Sequence, residues 1–387
     1  LAALVKNKIE EKSFFNENLK NLFVLASCFL FLFGVVSLLY TTNHVEGLKN
    51  IKGKSVLLAI PIALCGCDYI NEVTRQKILK WYCLLLFIAC AYTIYAQFKA
   101  YSATHDSSVF FYHSLISSYS GHAIQFSILV FVALVHLFEN SNKSLFLFNR
   151  LFHLFLILFF SVFLFFLSSK LVIIFYLFYF VYFMIRTLRL RAINKPVFIG
   201  SAAAFVALCI FVFATNNTIS RRFNDVAQTD FRFLQREKFS PGLYFNGLEF
   251  RLLQWKFVPQ ILNEKKAWFL GLGAGDAQAY LDQKYISENM YTGSTQNPSK
   301  GFLGYNTHNE FLEALLQTGV VGLSLFLMLC LAMIKNAWQR KTVELSFITM
   351  LLLAYTFTES VLESQYSSFI FLFFPLFFYV KTNRTSA

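Results

Sequence analysis

Apolar residues gather into ten runs, near Leu19–Tyr40, Ser55–Tyr69, Ile78–Phe98, Gly121–Phe138, Leu151–Leu167, Leu171–Ile185, Pro196–Thr215, Val320–Ile334, Val343–Leu362 and Tyr366–Val380. A helix that crosses the hydrocarbon core needs about 20 mostly apolar residues, because that layer is roughly 30 Å thick and a helix rises about 1.5 Å per residue. Each run meets or approaches that length, and none has the heptad spacing of a coiled coil. The pattern predicts an all-α, polytopic transmembrane helical bundle. One long polar segment interrupts it, from Asn216 to Thr307. Three parts are therefore expected: seven spans in residues 1–215, a loop with short helices in 216–307, and an amphipathic entry helix with three spans in 308–387. Pro61 and Pro375 fall inside apolar runs, where they read as kinks.

With 57% apolar or aromatic residues and only 14% charged, the chain lacks the polar surface of a soluble domain, which would be about a quarter charged. Its formal charge of +13 then needs a membrane explanation before a nucleic-acid one. Short positively charged loops stay in the cytoplasm. If the first span runs outward, the inner side collects Lys6, Lys8, Lys12, Lys20, Arg75, Lys77, Lys80, Lys143, Arg150, Arg186, Arg189, Arg191, Lys195, Lys335, Arg340, Lys341, Lys381 and Arg384. Short outer loops keep Lys49, Lys52, Lys54, Lys99 and Lys170. Both termini are thus expected in the cytoplasm and 216–307 outside; the loop's eleven Lys and Arg do not oppose this, because long loops translocate regardless of charge. Leu1 opens a stretch that reads as the tail of an earlier span, so an incomplete N-terminus is expected. No cleavable signal peptide is read, since Lys6–Lys12 precede a full-length span without a small-residue cleavage site. All seven Cys (28, 65, 67, 83, 90, 209 and 330) lie in or at the ends of spans, which argues against a disulfide-held ectodomain and for core packing.

Ionisable groups at membrane depth cost about 2.5 kcal/mol or more, so they mark functional sites or structural pairs. Lys170 begins the sixth span at the outer surface, as a binding cation or a snorkelling interface residue. Arg251 lies in the outer loop, four residues before Trp255. Glu359 and Glu363 are four apart at the outer end of the ninth span, which predicts one helix face. The sharpest local signal is Tyr305-Asn-Thr-His-Asn-Glu, in which Thr307 and Glu310 have capping-box spacing. A helix would start there with Thr307 as N-cap and His308 in its first turn, where free N–H groups favour anions and a neutral imidazole. Such a His suits a general base; the alternative is a His that merely caps an interfacial helix. The run Gly271-Leu-Gly273-Ala-Gly275 fails as a nucleotide-binding motif, because its third Gly is one residue early and no βαβ unit surrounds it, and reads as a tight turn. His122, opening the fourth span, reads as a pocket lining. No metal-ligand spacing occurs, and neither a metal nor a cofactor is expected.

In order, these features resemble the O-antigen ligase and polymerase family of bacterial envelope glycan transferases, from about His113 to Phe378. The elements are Ser169-Lys170 at the start of a middle span, the outer loop, Arg251–Trp255, the turn Gly271–Gly275, His308-Asn309 before Gly319–Gly322, and Glu359-Ser360 with Gln365. The family usually has Arg where this chain has Lys170, and Lys cannot make the bidentate phosphate contact that Arg makes. Family members commonly have more spans than these ten, which fits two before Leu1. The resemblance implies a metal-independent, inverting glycosyltransferase of the bacterial inner membrane, with its site facing the periplasm and a polyprenyl (undecaprenyl) diphosphate-linked glycan as donor. His308 would be the catalytic base, and Arg251 and Lys170 would hold the donor diphosphate. Supporting or sugar-binding roles would fall to Asn309, Glu359, Glu363, His122 and Trp255.

The acceptor stays open: lipid A core, a second lipid-linked glycan or a protein hydroxyl would make the protein a ligase, a polymerase or a protein O-oligosaccharyltransferase. The single outer loop of moderate size favours ligase. A rival of another class is a polysaccharide or lipid transporter, which would be expected to show internal repeats and broken helices at the midplane. Topology is directly testable. A single Cys placed at Gln278 should react with an impermeant thiol reagent added outside, and one at Asn194 only after permeabilisation; the reverse pattern would remove the outward-facing site.

Overall fold

The computed structural model describes residues 17–66, 70–119, 121–141, 150–189, 224, 227–293 and 300–380. Outside them lie the expected seventh span at 196–215, the start of the outer loop, Cys67, Cys209, and the charges at Lys6, Lys8, Lys12, Lys143, Arg191, Lys195, Lys381 and Arg384. Every element of ten or more residues among the described residues is an α-helix. In chain order they are α1 (Leu22–Ser37), α2 (His44–Gly53), α3 (Val56–Cys65), α4 (Glu72–Thr104), α5 (Ala123–Glu139) and α6 (Arg150–Phe166). Then come α7 (Lys170–Arg189), α8 (Gly247–Lys265), α9 (Ala277–Ser287), α10 (Glu310–Arg340), α11 (Val343–Thr356) and α12 (Gln365–Tyr379). α4, α7 and α10 are long and apolar enough to cross a membrane, and α1, α5, α6, α11 and α12 are shorter apolar helices. This is the build of an integral membrane protein.

Two compact units divide the chain, residues 72–227 and the remainder. Within the first, α5 packs on α4, α6 and α7. Aromatic edges supply the fit: Phe87 meets Phe152, Phe155 and Phe159, and Phe138 meets Tyr179, Phe180 and Phe183. Arg186 closes one end of α7 on Glu139 at 2.6 Å.

In the second unit α1 packs chiefly on α10 and α3, and α3 on α12. Four of the cysteines, Cys65, Cys83, Cys90 and Cys330, are buried within their helices. The polar segment has its own core, where Phe233, Phe239, Phe245, Phe250, Phe257 and Tyr285 pack with Leu315 and Leu316 of α10. α8 starts on a true capping box: the Asn246 side chain accepts from the N–H groups of Leu248 and Glu249, and Glu249 accepts from Asn246 N at 2.9 Å.

α10 is broken at Gly319, whose φ of 65° no other residue type adopts at low cost in a helix. A continuous helix would pair Val320 N with Leu316 O and Val321 N with Gln317 O. Residues 268–273 take over all four groups. Trp268 O and Phe269 O accept from Val320 N (2.8 Å) and Val321 N (3.4 Å), and Leu272 N and Gly273 N donate to Leu316 O and Gln317 O (both 2.9 Å). The turn read at Gly271–Gly275 is thus also a clamp. A Cβ on Gly319 would collide with the Phe269 carbonyl, and one on Gly271 with the main chain at Gln317 and Thr318.

Three sequence expectations need correction. The ninth span stops at Thr356 and not near Leu362, because Thr358 Oγ1 bonds back to Tyr355 O and the following residues are drawn into tertiary contacts. Glu359 and Glu363 therefore lie on a non-helical connection and share no helix face. Thr307 is not the N-cap of α10; Asn309 is, its side chain accepting from Leu312 N at 3.1 Å, so His308 precedes the helix.

The clamp yields a stability test. Gly319→Ala should destabilise the protein by more than about 2 kcal/mol, since positive φ and a main-chain collision add. Gly53→Ala, whose Cβ would meet nothing within 4 Å, should stay near wild type. Thermal unfolding in detergent compares the two.

Candidate functional site

Three of the residues singled out in the sequence meet above α10. Glu359 bridges the other two: its Oε1 accepts from Arg251 Nη2 at 2.9 Å and its Oε2 lies 2.9 Å from His308 Nδ1. An ionised carboxylate only accepts, so a neutral imidazole in this position would carry its proton on Nδ1 and its lone pair on Nε2. Side-chain exposures of 28% for Arg251 and 21% for His308 and Glu359 leave the trio shielded but reachable.

Arg251 is set by α8. Its Nε donates to Thr358 O (3.1 Å) and its Nη1 to Gly247 O (3.2 Å), one turn back. With the Glu359 bond this engages three of the five guanidinium N–H groups, and two remain for an anion. Trp255, one turn further on, is half-buried with its indole N–H enclosed and unpartnered.

His308 has φ 46°, a left-handed backbone that costs a β-carbon residue about 1–2 kcal/mol and persists only when its neighbours impose it. They do. His308 N donates to Asn306 Oδ1 (3.1 Å), Asn306 O accepts from Gln254, and Tyr305 O accepts from Tyr285 Oη (2.9 Å) and Gln278 Nε2 (3.1 Å). Burial pushes the Tyr285 phenol upward, so it serves as a neutral donor. Asn309 Nδ2 reaches Phe357 O at 3.4 Å, joining the loop to the Glu359 connection.

Beneath the trio is a buried polar network that the sequence reading missed. Glu313 Oε2 accepts from Thr307 N (3.1 Å) and Thr307 Oγ1 (2.8 Å), while its Oε1 accepts from Gln317 Nε2 (2.7 Å). Gln317 Nε2 also reaches Glu363 Oε1 at 2.9 Å, and Lys54 Nζ donates to Gln317 Oε1 at 2.6 Å. Lys54 pairs with Glu363 at 2.8 Å, Asn50 Nδ2 donates to Glu363 Oε2, also at 2.8 Å, and Glu310 Oε2 accepts from Leu362 N at 2.8 Å. Burial works against the Lys54 ammonium, but Glu363, Glu310 and Glu313 outweigh it and hold its pKa above the usual lysine range. Glu363 thus belongs to this support and not to the exposed trio. Asp276 anchors the other end of α2: its carboxylate accepts from Thr42 N (2.7 Å), Thr42 Oγ1 (2.9 Å) and Asn43 N (2.9 Å). Burial alone would raise its pKa, yet these bonds keep it below the usual carboxylate range. The network left one mark in the sequence, since Glu310, Glu313 and Gln317 recur at helical spacing on an otherwise apolar helix.

Lys170 and His122 belong to the other unit. Lys170 is half-buried and opens α7 after a break at Ser168, whose φ is 51°. His122 is exposed before the first turn of α5, its ring 5.0 Å from that of His113. Among the described residues no cluster of His, Cys, Asp and Glu has the makings of a metal site.

Residues 154–327 match the protein family described as O-antigen ligase. The matched stretch contains Lys170, Arg251, Trp255, the clamp, His308 and Asn309, whereas Glu359, Glu363 and His122 fall outside it. That family comprises membrane glycosyltransferases that use lipid-linked glycans. No curated protein matches the chain.

The Lys54–Glu363 pair predicts strong coupling. Lys54→Met leaves buried carboxylates without their cation and should cost about 3–5 kcal/mol, and adding Glu363→Gln should recover part of the loss. Unfolding measured for Lys54→Met, Glu363→Gln and the double variant closes the cycle, and a double-variant loss equal to the sum of the two single losses would show that the residues act independently.

Proposed function

We propose that this protein, with its O-antigen ligase family domain at residues 154–327, moves a glycan from a polyprenyl diphosphate carrier to an acceptor hydroxyl at the outer face of the bacterial inner membrane. The observation that carries this reading is Glu359, whose two oxygens hold a base and a cation side by side. The acceptor oxygen attacks the anomeric carbon, the bond from that carbon to the diphosphate breaks, and the hydroxyl proton passes to His308 Nε2. Glu359 fixes the tautomer that makes Nε2 the acceptor and offsets the imidazolium as it forms. The two N–H groups left on Arg251 meet the lipid diphosphate, whose negative charge grows as it departs. Family resemblance assigns Lys170 to the same diphosphate as a point charge. Asn309 supports the loop that carries His308, and Trp255 stands on the Arg251 face of α8. No step draws on a metal.

Lipid A core is the acceptor we favour, because one outer loop of moderate size leaves room for a compact fixed acceptor. A polymerase or a protein O-oligosaccharyltransferase would use the same trio, and the identity of the acceptor separates them.

Reconstituted protein given a purified lipid-linked glycan and lipid A core provides the test. His308→Ala should lose about 10²–10⁴ in rate while still binding the donor. Arg251→Ala should weaken both donor binding and rate. Glu359→Gln should fall between wild type and His308→Ala, and Lys170→Arg should be tolerated. Full activity in His308→Ala, or inhibition by a chelator that added Mg²⁺ reverses, would overturn the mechanism; transfer only to a peptide hydroxyl would replace the acceptor.

A further inference from the structure

We infer that Tyr305 is a stacking platform for a sugar ring of the acceptor. The inference rests on the glycan transfer proposed above and adds the residue that would recognise the sugar of the acceptor favoured there.

Glu359 sets the order of the trio. Arg251 lies on one carboxylate oxygen and His308 on the other. The donor diphosphate belongs with Arg251, so the attacking hydroxyl comes from beyond the imidazole. The side chain next to that imidazole is Tyr305, its ring centroid 5.9 Å from the His308 ring. It is 48% exposed, although it sits among well-packed aromatics. Its edge-to-face contact with Phe250 at 5.5 Å and the two hydrogen bonds to its carbonyl fix where the ring stands. Ahead of it Gly304 has no atom within 4 Å of the position a Cβ would take, so the approach is open. An exposed aromatic that is held rigid loses little freedom on binding, and its large flat surface fits the apolar C–H face of a pyranose. A peptide hydroxyl acceptor would gain little from it.

The test begins with binding. Delipidated core oligosaccharide of lipopolysaccharide serves as the probe, read by ligand-detected saturation-transfer NMR against the full-length protein in detergent. Wild type should bind, Tyr305→Ala should bind roughly tenfold more weakly, a loss of about 1.4 kcal/mol, and Tyr305→Phe and Tyr305→Trp should bind like wild type. In the transfer assay Tyr305→Ala should raise the acceptor KM by the same factor and leave the donor KM unchanged. Equal binding by wild type and Tyr305→Ala, no binding by wild type, or a change confined to the donor KM would overturn the platform. A serine-containing peptide that binds through Tyr305 where the oligosaccharide does not would overturn the sugar assignment. Transfer that fails in His308→Ala but is untouched in Tyr305→Ala would leave the proposed reaction standing and remove the platform alone.

Discussion

The main-chain clamp between residues 268–273 and the break at Gly319 is the constraint from which the rest follows. A helix interrupted near the membrane surface exposes carbonyl and N–H groups that lipid cannot satisfy, each at a cost of several kcal/mol. Here residues 268–273 supply the partners. The first half of α10 can therefore leave the axis of the apolar second half, presenting Glu310, Glu313 and Gln317 to a polar interior. Those side chains in turn pin Thr307, Leu362 and Glu363. His308 and Glu359 are loop residues, yet each is flanked by groups fixed to α10.

The trio concentrates the charge changes of the proposed reaction on one carboxylate. Before transfer, Glu359 is balanced by Arg251 and faces a neutral imidazole. As the proton arrives on His308 and negative charge moves to the leaving diphosphate, the imidazolium turns to Glu359 and the guanidinium to the phosphate. Little has to move, because the carboxylate already touches both. Preorganised groups of this kind avoid reorganisation at the moment of reaction.

Much of this was legible in the sequence, and the exceptions have identifiable causes. Apolar runs gave α1, α5, α6 and α12 close to their observed bounds, since the need to keep a long apolar run out of water dominates every other local preference there. His308 and Arg251 stood out because polar groups are scarce in such a chain. Thr307 and Glu310 satisfied the capping-box pattern, but Glu313 and Leu362 compete for the same atoms and win, moving the cap to Asn309. Glu359 and Glu363 had helical spacing, yet Arg251 draws one away and Lys54 the other. Lys54 read as an outer-loop lysine because nothing in its neighbours in sequence marks the buried carboxylates it meets. Long-range pairing overrides local spacing at the places where the site is built.

Because the clamp is made only of main-chain atoms, it leaves the side chains of its own tip unassigned. Trp268, Phe269 and Leu270 are 38%, 69% and 43% exposed. Their backbone is held to the broken helix; Trp268 also donates its indole N–H to Asn263 Oδ1 at 2.8 Å, whereas the fold asks little of Phe269 and Leu270 beyond a chain able to make the turn. A substitution at Phe269 or Leu270 that keeps the turn leaves all four main-chain bonds of the clamp in place.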